Sequence, residues 1–232
     1  MYQQKMSATT LTTTNVFLRG VYLWMCIGLL ITGYIAHLVA SSPALLNLFL
    51  GNQVLFIGLI IGELVLVVTI SGAIHRLSAT MATALFVLYS SLNGITLSSI
   101  FLIYTQASIV KTFLICSSMF GAMSIYGFTT SKDLTSWGSF LFMGLIGVII
   151  ASIINIFFPS TQFEFAISIM GIIVFVGLTA YDTQKLKIMG QDAPLDRKGT
   201  LQKGTILGAL TLYLDFINLF LLLLRFFGQS RD

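Results

Sequence analysis

Seven apolar runs, each about long enough to cross the roughly 30 Å of bilayer hydrocarbon as a helix, take up most of this 232-residue chain. They cover about 20–40, 46–74, 79–104, 108–130, 137–158, 163–184 and 204–224. Only 9% of the residues are charged, against roughly a quarter in soluble domains. So few charges cannot hydrate a surface of this size, and the mean hydropathy of +0.96 points the same way. The expected fold is therefore an all-α integral membrane protein, one compact seven-transmembrane-helix bundle. Disordered chains, nucleic-acid-binding domains and disulfide-stapled secreted modules are excluded, because they need polar surface, clustered basic residues or paired cysteines. Cys26 and Cys116 both lie inside apolar runs, where a free thiol behaves as a small hydrophobe, and no disulfide is expected.

Charge placement predicts orientation. With the N-terminus cytoplasmic, Lys5, Arg19, Arg76, Lys132, Lys185, Lys187, Arg197, Lys198 and Lys203 fall on the inner side, and only Lys111, Arg225 and Arg231 on the outer. Basic residues gather in cytoplasmic loops, so the C-terminus is expected outside. The net charge of +4 is thus a topology signal. Residues 1–18 are polar and Thr-rich, lack the apolar core of a cleavable signal, and are expected to form an exposed cytoplasmic tail. Residues 19–228 form the transmembrane domain and 229–232 a short C-terminal tail. Gly58 with Gly62, and Gly204 with Gly208, have the small-xxx-small spacing that lets helices approach closely.

An ionised side chain in hydrocarbon costs at least a few kcal/mol, so acidic residues inside spans are functional candidates. Three qualify: Glu63, Asp182 and Asp215. Asp215 lies about 16 Å into the last span, with Thr211 and Asn218 on the same helix face; that polar stripe has to face the bundle interior or a water-filled cavity. Asp182 sits near the cytoplasmic end of its span beside Lys185 and Lys187, where a simple interfacial ion pair is the competing reading. On a ruler it is also shallower than Asp215. Glu63, in mid-span, could complete a cation path, while Arg76 reads first as a topology anchor. His37 and His75 have no companions at metal-ligand spacing, so no zinc site is expected.

If Asp182 and Asp215 meet, their repulsion dictates the chemistry. Two carboxylates in one desolvated site cannot both ionise cheaply, so the pair would hold a shared proton. Protonated, it ties two helices together; doubly ionised, it pushes them apart or recruits a cation, and hard oxygen ligands suit Ca²⁺.

The segments carrying the two aspartates, Gly177-Leu-Thr-Ala-Tyr-Asp-Thr-Gln184 and Gly208-Ala-Leu-Thr-Leu-Tyr-Leu-Asp-Phe-Ile-Asn-Leu-Phe220, followed by Leu223-Leu-Arg-Phe-Phe-Gly228, resemble hallmark segments of the transmembrane Bax inhibitor motif family, above all its bacterial inner-membrane members. The likeness extends over nearly the whole chain, including Gly94-Ile-Thr-Leu-Ser-Ser-Ile-Phe101 and Phe120-Gly-Ala-Met-Ser-Ile-Tyr-Gly127. It implies a seven-helix bundle with a central last helix, and a pH-sensitive calcium leak sensed by Asp182 and Asp215. It also implies that Glu63 matches an acidic position on the second span. The family's latch uses an arginine near the end of that span; Arg76 is the nearest candidate, displaced by about half a helical turn.

The expectation is thus a monomeric, non-enzymatic channel in the lipid bilayer, with no nucleic-acid partner and no resident cofactor, Ca²⁺ being the permeant or transiently bound ion. A regulatory membrane protein binding a membrane protease or stress-response complex is the alternative. Paired aspartates also suggest an intramembrane aspartyl protease, but Leu212-Tyr213-Leu214 stands where that class needs Gly-x-Gly.

Overall fold

The computed structural model describes residues 2–191 and 198–231, and all its regular structure is helical. Among the described residues nine helices follow one another: α1 (Tyr2–Ser41), α2 (Pro43–Phe49), α3 (Gln53–Ala73), α4 (Ala79–Leu97), α5 (Ile100–Ile103), α6 (Gln106–Thr129), α7 (Thr135–Phe157), α8 (Thr161–Gln191) and α9 (Lys198–Phe227). Seven segments among the described residues are long and apolar enough to cross a bilayer, beginning with Thr14–Ser41 and ending with Gly199–Phe227.

Their burial follows the solvent. The two most apolar spans, in α3 and α7, are the least buried, at 6% of the window each, and the last span is the most enclosed at 67%. In hydrocarbon an outward-facing helix has no reason to be amphipathic. Polar side chains therefore collect on the helices that other helices cover.

Helix starts are set by local caps. Asn52 Oδ1 accepts the N–H groups of Val54 (3.1 Å) and Leu55 (3.2 Å), and Ser78 Oγ accepts that of Met81 (3.1 Å), each satisfying orphan donors of a first turn. The Asn52 cap separates α2 from α3, so the run predicted over 46–74 is a short helix followed by the true span. The run over 79–104 likewise breaks at Ser98 and Ser99, whose hydroxyls donate to the carbonyls of Ile95 (2.6 Å) and Thr96 (2.9 Å).

Three other features concern the ends of the chain and of α8. Helix α1 begins at Tyr2, and within it Thr14, Phe17 and Leu18 are buried; the Thr-rich stretch contains no Gly or Pro to break the helix. The C-terminal residues are tied down: the Thr105 N–H donates to the Gln229 carbonyl (3.1 Å), and the Arg231 guanidinium donates to the Phe101 carbonyl (2.8 Å). Finally, α8 runs on to Gln191. Residues 192–197, the middle of the predicted basic loop, lie outside the described residues.

The described chain divides into two compact units. The first comprises 2–104, 189–191, 198–213 and 231; the second comprises 105–188 and 214–230. In the first, α1 and α4 pack so closely that a Cβ at Gly94 would stand 2.7 Å from the Thr32 carbonyl oxygen. In the second, Gly127 of α6 lies against the Ala180 carbonyl of α8, a backbone-to-backbone contact that leaves no room for a side chain. By contrast Gly58 and Gly62 have no neighbour within 4 Å of a Cβ position among the described residues, so their spacing serves no helix contact there.

Candidate functional site

The second unit brings the two span aspartates together. Asp182 of α8 and Asp215 of α9 are both buried, 9% and 5% exposed, and their carboxyls are close enough to interact directly. A carboxylate only accepts, so a hydrogen bond between two carboxyls requires a proton on one of them.

The pairing resolves the mismatch in depth. Cβ positions at Gly190 and Gly204 both stand against the Phe17 ring, at 3.0 and 3.4 Å, so these two points of α8 and α9 are level. From there Asp182 lies about 12 Å along α8 and Asp215 about 16 Å along α9, a difference two side chains span. The predicted end of the sixth span near Gln184 made Asp182 look shallow. The lysines that suggested that end do not pair with it: Lys187 Nζ donates to the Phe128 carbonyl (2.7 Å), and Lys185 lies 6.0 Å over the Tyr181 ring, acting on Asp182 only at a distance. The interfacial ion-pair reading of Asp182 therefore fails. Among the described residues the ion pair is Arg225 with Glu164, at 3.1 Å and nearly half exposed.

Other predicted residues are placed differently. Thr211 Oγ1 donates to the Leu207 carbonyl (3.1 Å) and Asn218 Nδ2 to the Leu214 carbonyl (2.8 Å). The Thr211 hydroxyl and one N–H of the Asn218 amide are thus bonded within their own helix. Arg76 is exposed in the turn after α3 and enters no ion pair among the described residues.

Glu63 belongs to a separate network in the first unit. It accepts from Asn93 Nδ2 (3.1 Å) and Thr96 Oγ1 (2.9 Å) of α4. The buried Tyr213 hydroxyl of α9 then donates to Asn93 Oδ1 (3.0 Å) and lies 2.7 Å from Thr32 Oγ1 of α1. Phe86 and Tyr89 hold its ring edge-on, with centroids 5.9 and 5.7 Å away. Four helices thus meet on one chain of neutral donors ending at a carboxylate, the satisfied form in which a polar network can be buried.

The sequence model of a family described as inhibitor of apoptosis-promoting Bax1 matches residues 14–232. The chain belongs to the Bax inhibitor-like family. Among Bax inhibitor-like relatives, the inner membrane protein YbhL of Escherichia coli is 54% identical over 94% of this chain and 93% of its own. A protein of Borreliella burgdorferi is 48% identical over 94% of each chain, and one of Rickettsia prowazekii 46% identical over 96% and 98%. This Bax inhibitor-like protein is an integral membrane protein, as its spans require.

Two site features of this family member escape a reading of spans. Gln184 clamps the loop between α6 and α7: its Nε2 donates to the Lys132 carbonyl and its Oε1 accepts the Leu134 N–H, both at 2.8 Å. The loop's Asp133, fully exposed, accepts the Thr135 N–H at 2.8 Å, and bonds from Thr135 hold its carboxyl below the usual carboxylate range. Gln184 closes the motif quoted for the sixth span, yet nothing in its spacing names Leu134 as the partner.

Proposed function

We propose that this protein is a pH-sensitive cation leak pathway of the inner membrane, passing calcium, with the Asp182–Asp215 pair as its gate. The observation that carries the reading is the contact between two buried carboxyls on different helices. While they share a proton, the contact ties α8 to α9. When the proton leaves, two negative charges a few ångströms apart in a medium of low dielectric repel strongly. The helices must then separate or a cation must enter. Protonation closes the path and deprotonation opens it.

Two carboxylates offer few of the six to eight oxygens that Ca²⁺ takes, and among the described residues no three His, Cys, Asp or Glu side chains are grouped to hold a metal. A cation there keeps most of its water, which suits transit better than storage. We read the chain as a monomer acting without a catalytic step or a resident cofactor, its N-terminus cytoplasmic and its C-terminus outside, on the strength of the nine-to-three division of basic residues.

The test is ion flux into liposomes against pH, for the wild type and Asp215→Asn. The wild type should pass Ca²⁺ increasingly as pH rises, and the variant should lose that dependence. Equal flux from both proteins at every pH removes the aspartate pair from gating.

A further inference from the structure

Two buried side-chain oxygens of the second unit have no hydrogen-bond donor or acceptor among the described residues: Asp215 Oδ2 and Ser124 Oγ. Ser124 is the more unusual of the two. Buried hydroxyls on these helices ordinarily turn back to the carbonyl one turn earlier, as Ser90, Ser168, Thr179 and Thr205 do at 2.7–2.9 Å. Ser124, 7% exposed, does not. An unpaired buried hydroxyl costs free energy, and a residue that forgoes the bond on its own helix has its hydroxyl available for another.

Its position on α6 says where that partner is. The buried stripe of α6 includes Cys116, Phe120, Ser124 and Gly127. Cys116 Sγ donates to the Phe216 carbonyl at 3.7 Å, and the Phe120 and Phe216 rings meet edge-on at 5.4 Å, so this part of α6 crosses α9 at the residue next to Asp215. Gly127 touches Ala180, so α6 crosses α8 two residues from Asp182. Ser124 lies between the two crossings on the same stripe, four residues after Phe120 and three before Gly127.

We infer that Ser124 is the third member of the carboxyl site, a positioning residue whose hydroxyl donates to the Asp182–Asp215 pair through one bridging water. This rests on the pair being the gate. A neutral donor reaching the pair stabilises its ionised form relative to its protonated form, and so helps set the pH at which the helices part. Few other groups compete for that role. On α8 the nearest cation is Lys185, with the Tyr181 ring turned against Gly138; α6 adds the Cys116 thiol, committed to Phe216; α7 has no ionisable residue; and on α9 Arg225 is engaged with Glu164.

The experiment uses the full chain in liposomes, comparing Ser124→Ala and Ser124→Thr with the wild type and Asp215→Asn. Flux is recorded against pH, and the infrared carboxyl band is assigned by its loss in Asp215→Asn. Ser124→Ala should move the flux profile to higher pH by about one unit and shift the carboxyl band, and Ser124→Thr should restore both. Should Ser124→Ala fail to fold, Ser124→Cys, a weaker donor of similar size, should give a smaller displacement in the same direction. A profile and band unchanged by removing the hydroxyl overturn the assignment of Ser124 while leaving the pair intact. If Asp215→Asn keeps the wild-type pH dependence, the gate reading falls instead, and the infrared band alone then decides Ser124.

Discussion

Gln184 accepts the backbone N–H of Leu134 at 2.8 Å and, from the other end of its amide, holds the carbonyl of Lys132. One side chain thus satisfies two polar groups of the loop before α7, two residues along the helix from Asp182. Gln184→Leu leaves both without a partner, and the buried N–H alone costs about 1–3 kcal/mol. Thermal denaturation in detergent should show a Tm lowered by about 2–4 °C for each kcal/mol. Gln184→Glu keeps the acceptor but not the donor and should fall between. A wild-type melting curve for Gln184→Leu rules out a stabilising clamp.

The Tyr213 hydroxyl joins Thr32 and Asn93, residues far apart in the chain. Tyr213→Phe preserves the ring packing and removes only the oxygen. In a double-mutant cycle with Asn93→Ala, unfolding free energies should give a coupling of about 0.6 kcal/mol, within the spread measured for hydrogen bonds between membrane helices. Strict additivity would show that the hydroxyl and the amide do not sense each other.

Two glycines should respond in opposite ways. Gly127→Ala pushes a methyl into the Ala180 carbonyl, backbone against backbone, and α6 can accommodate it only by moving away from α8. Gly58→Ala meets open space on a lipid-facing helix and gains helix propensity. Stability in detergent should drop by about 1–3 kcal/mol for the first and stay level or rise slightly for the second.

Asp133 provides an internal control on pH. Its carboxyl is held low by Thr135 and lies outside the spans, so its contribution to the start of α7 is present above the ordinary aspartate value of about 3.9. That contribution is lost only as pH falls through its own, lower value. Asp133→Asn should leave the flux profile near neutral pH unchanged. A displaced profile would mean that this loop takes part in gating.

These residues differ in how plainly the sequence announces them. Asp182 and Asp215 stand out because a carboxylate in an apolar run is costly, and costly residues are few. Ser124, Asn93 and Gln184 do not, since neutral polar residues are common in spans and most satisfy themselves one turn back, as Thr211 and Asn218 do. What distinguishes Asn93 is a partner 120 residues away, and no periodicity encodes that. Helix ends are hidden for a related reason. Lys185 and Lys187 mark an interface in the sequence, but the helix α8 itself continues past both, with Lys187 reaching back to Phe128. The start of α3 was legible in Gly51-Asn52, yet the apolar stretch before it hid the signal.

Tyr213 and Asp215 are separated by Leu214 alone, and a helix turns about 100° per residue. Two buried hydrogen-bonding groups therefore leave α9 on nearly opposite sides, in a fixed phase. An insertion of one residue at Leu214 would keep the Tyr213 contacts and swing Asp215 about 100° out of register, while the hydropathy profile stayed the same. For α9, length between these two positions is under tighter constraint than composition, and a substitution scan would not reveal it.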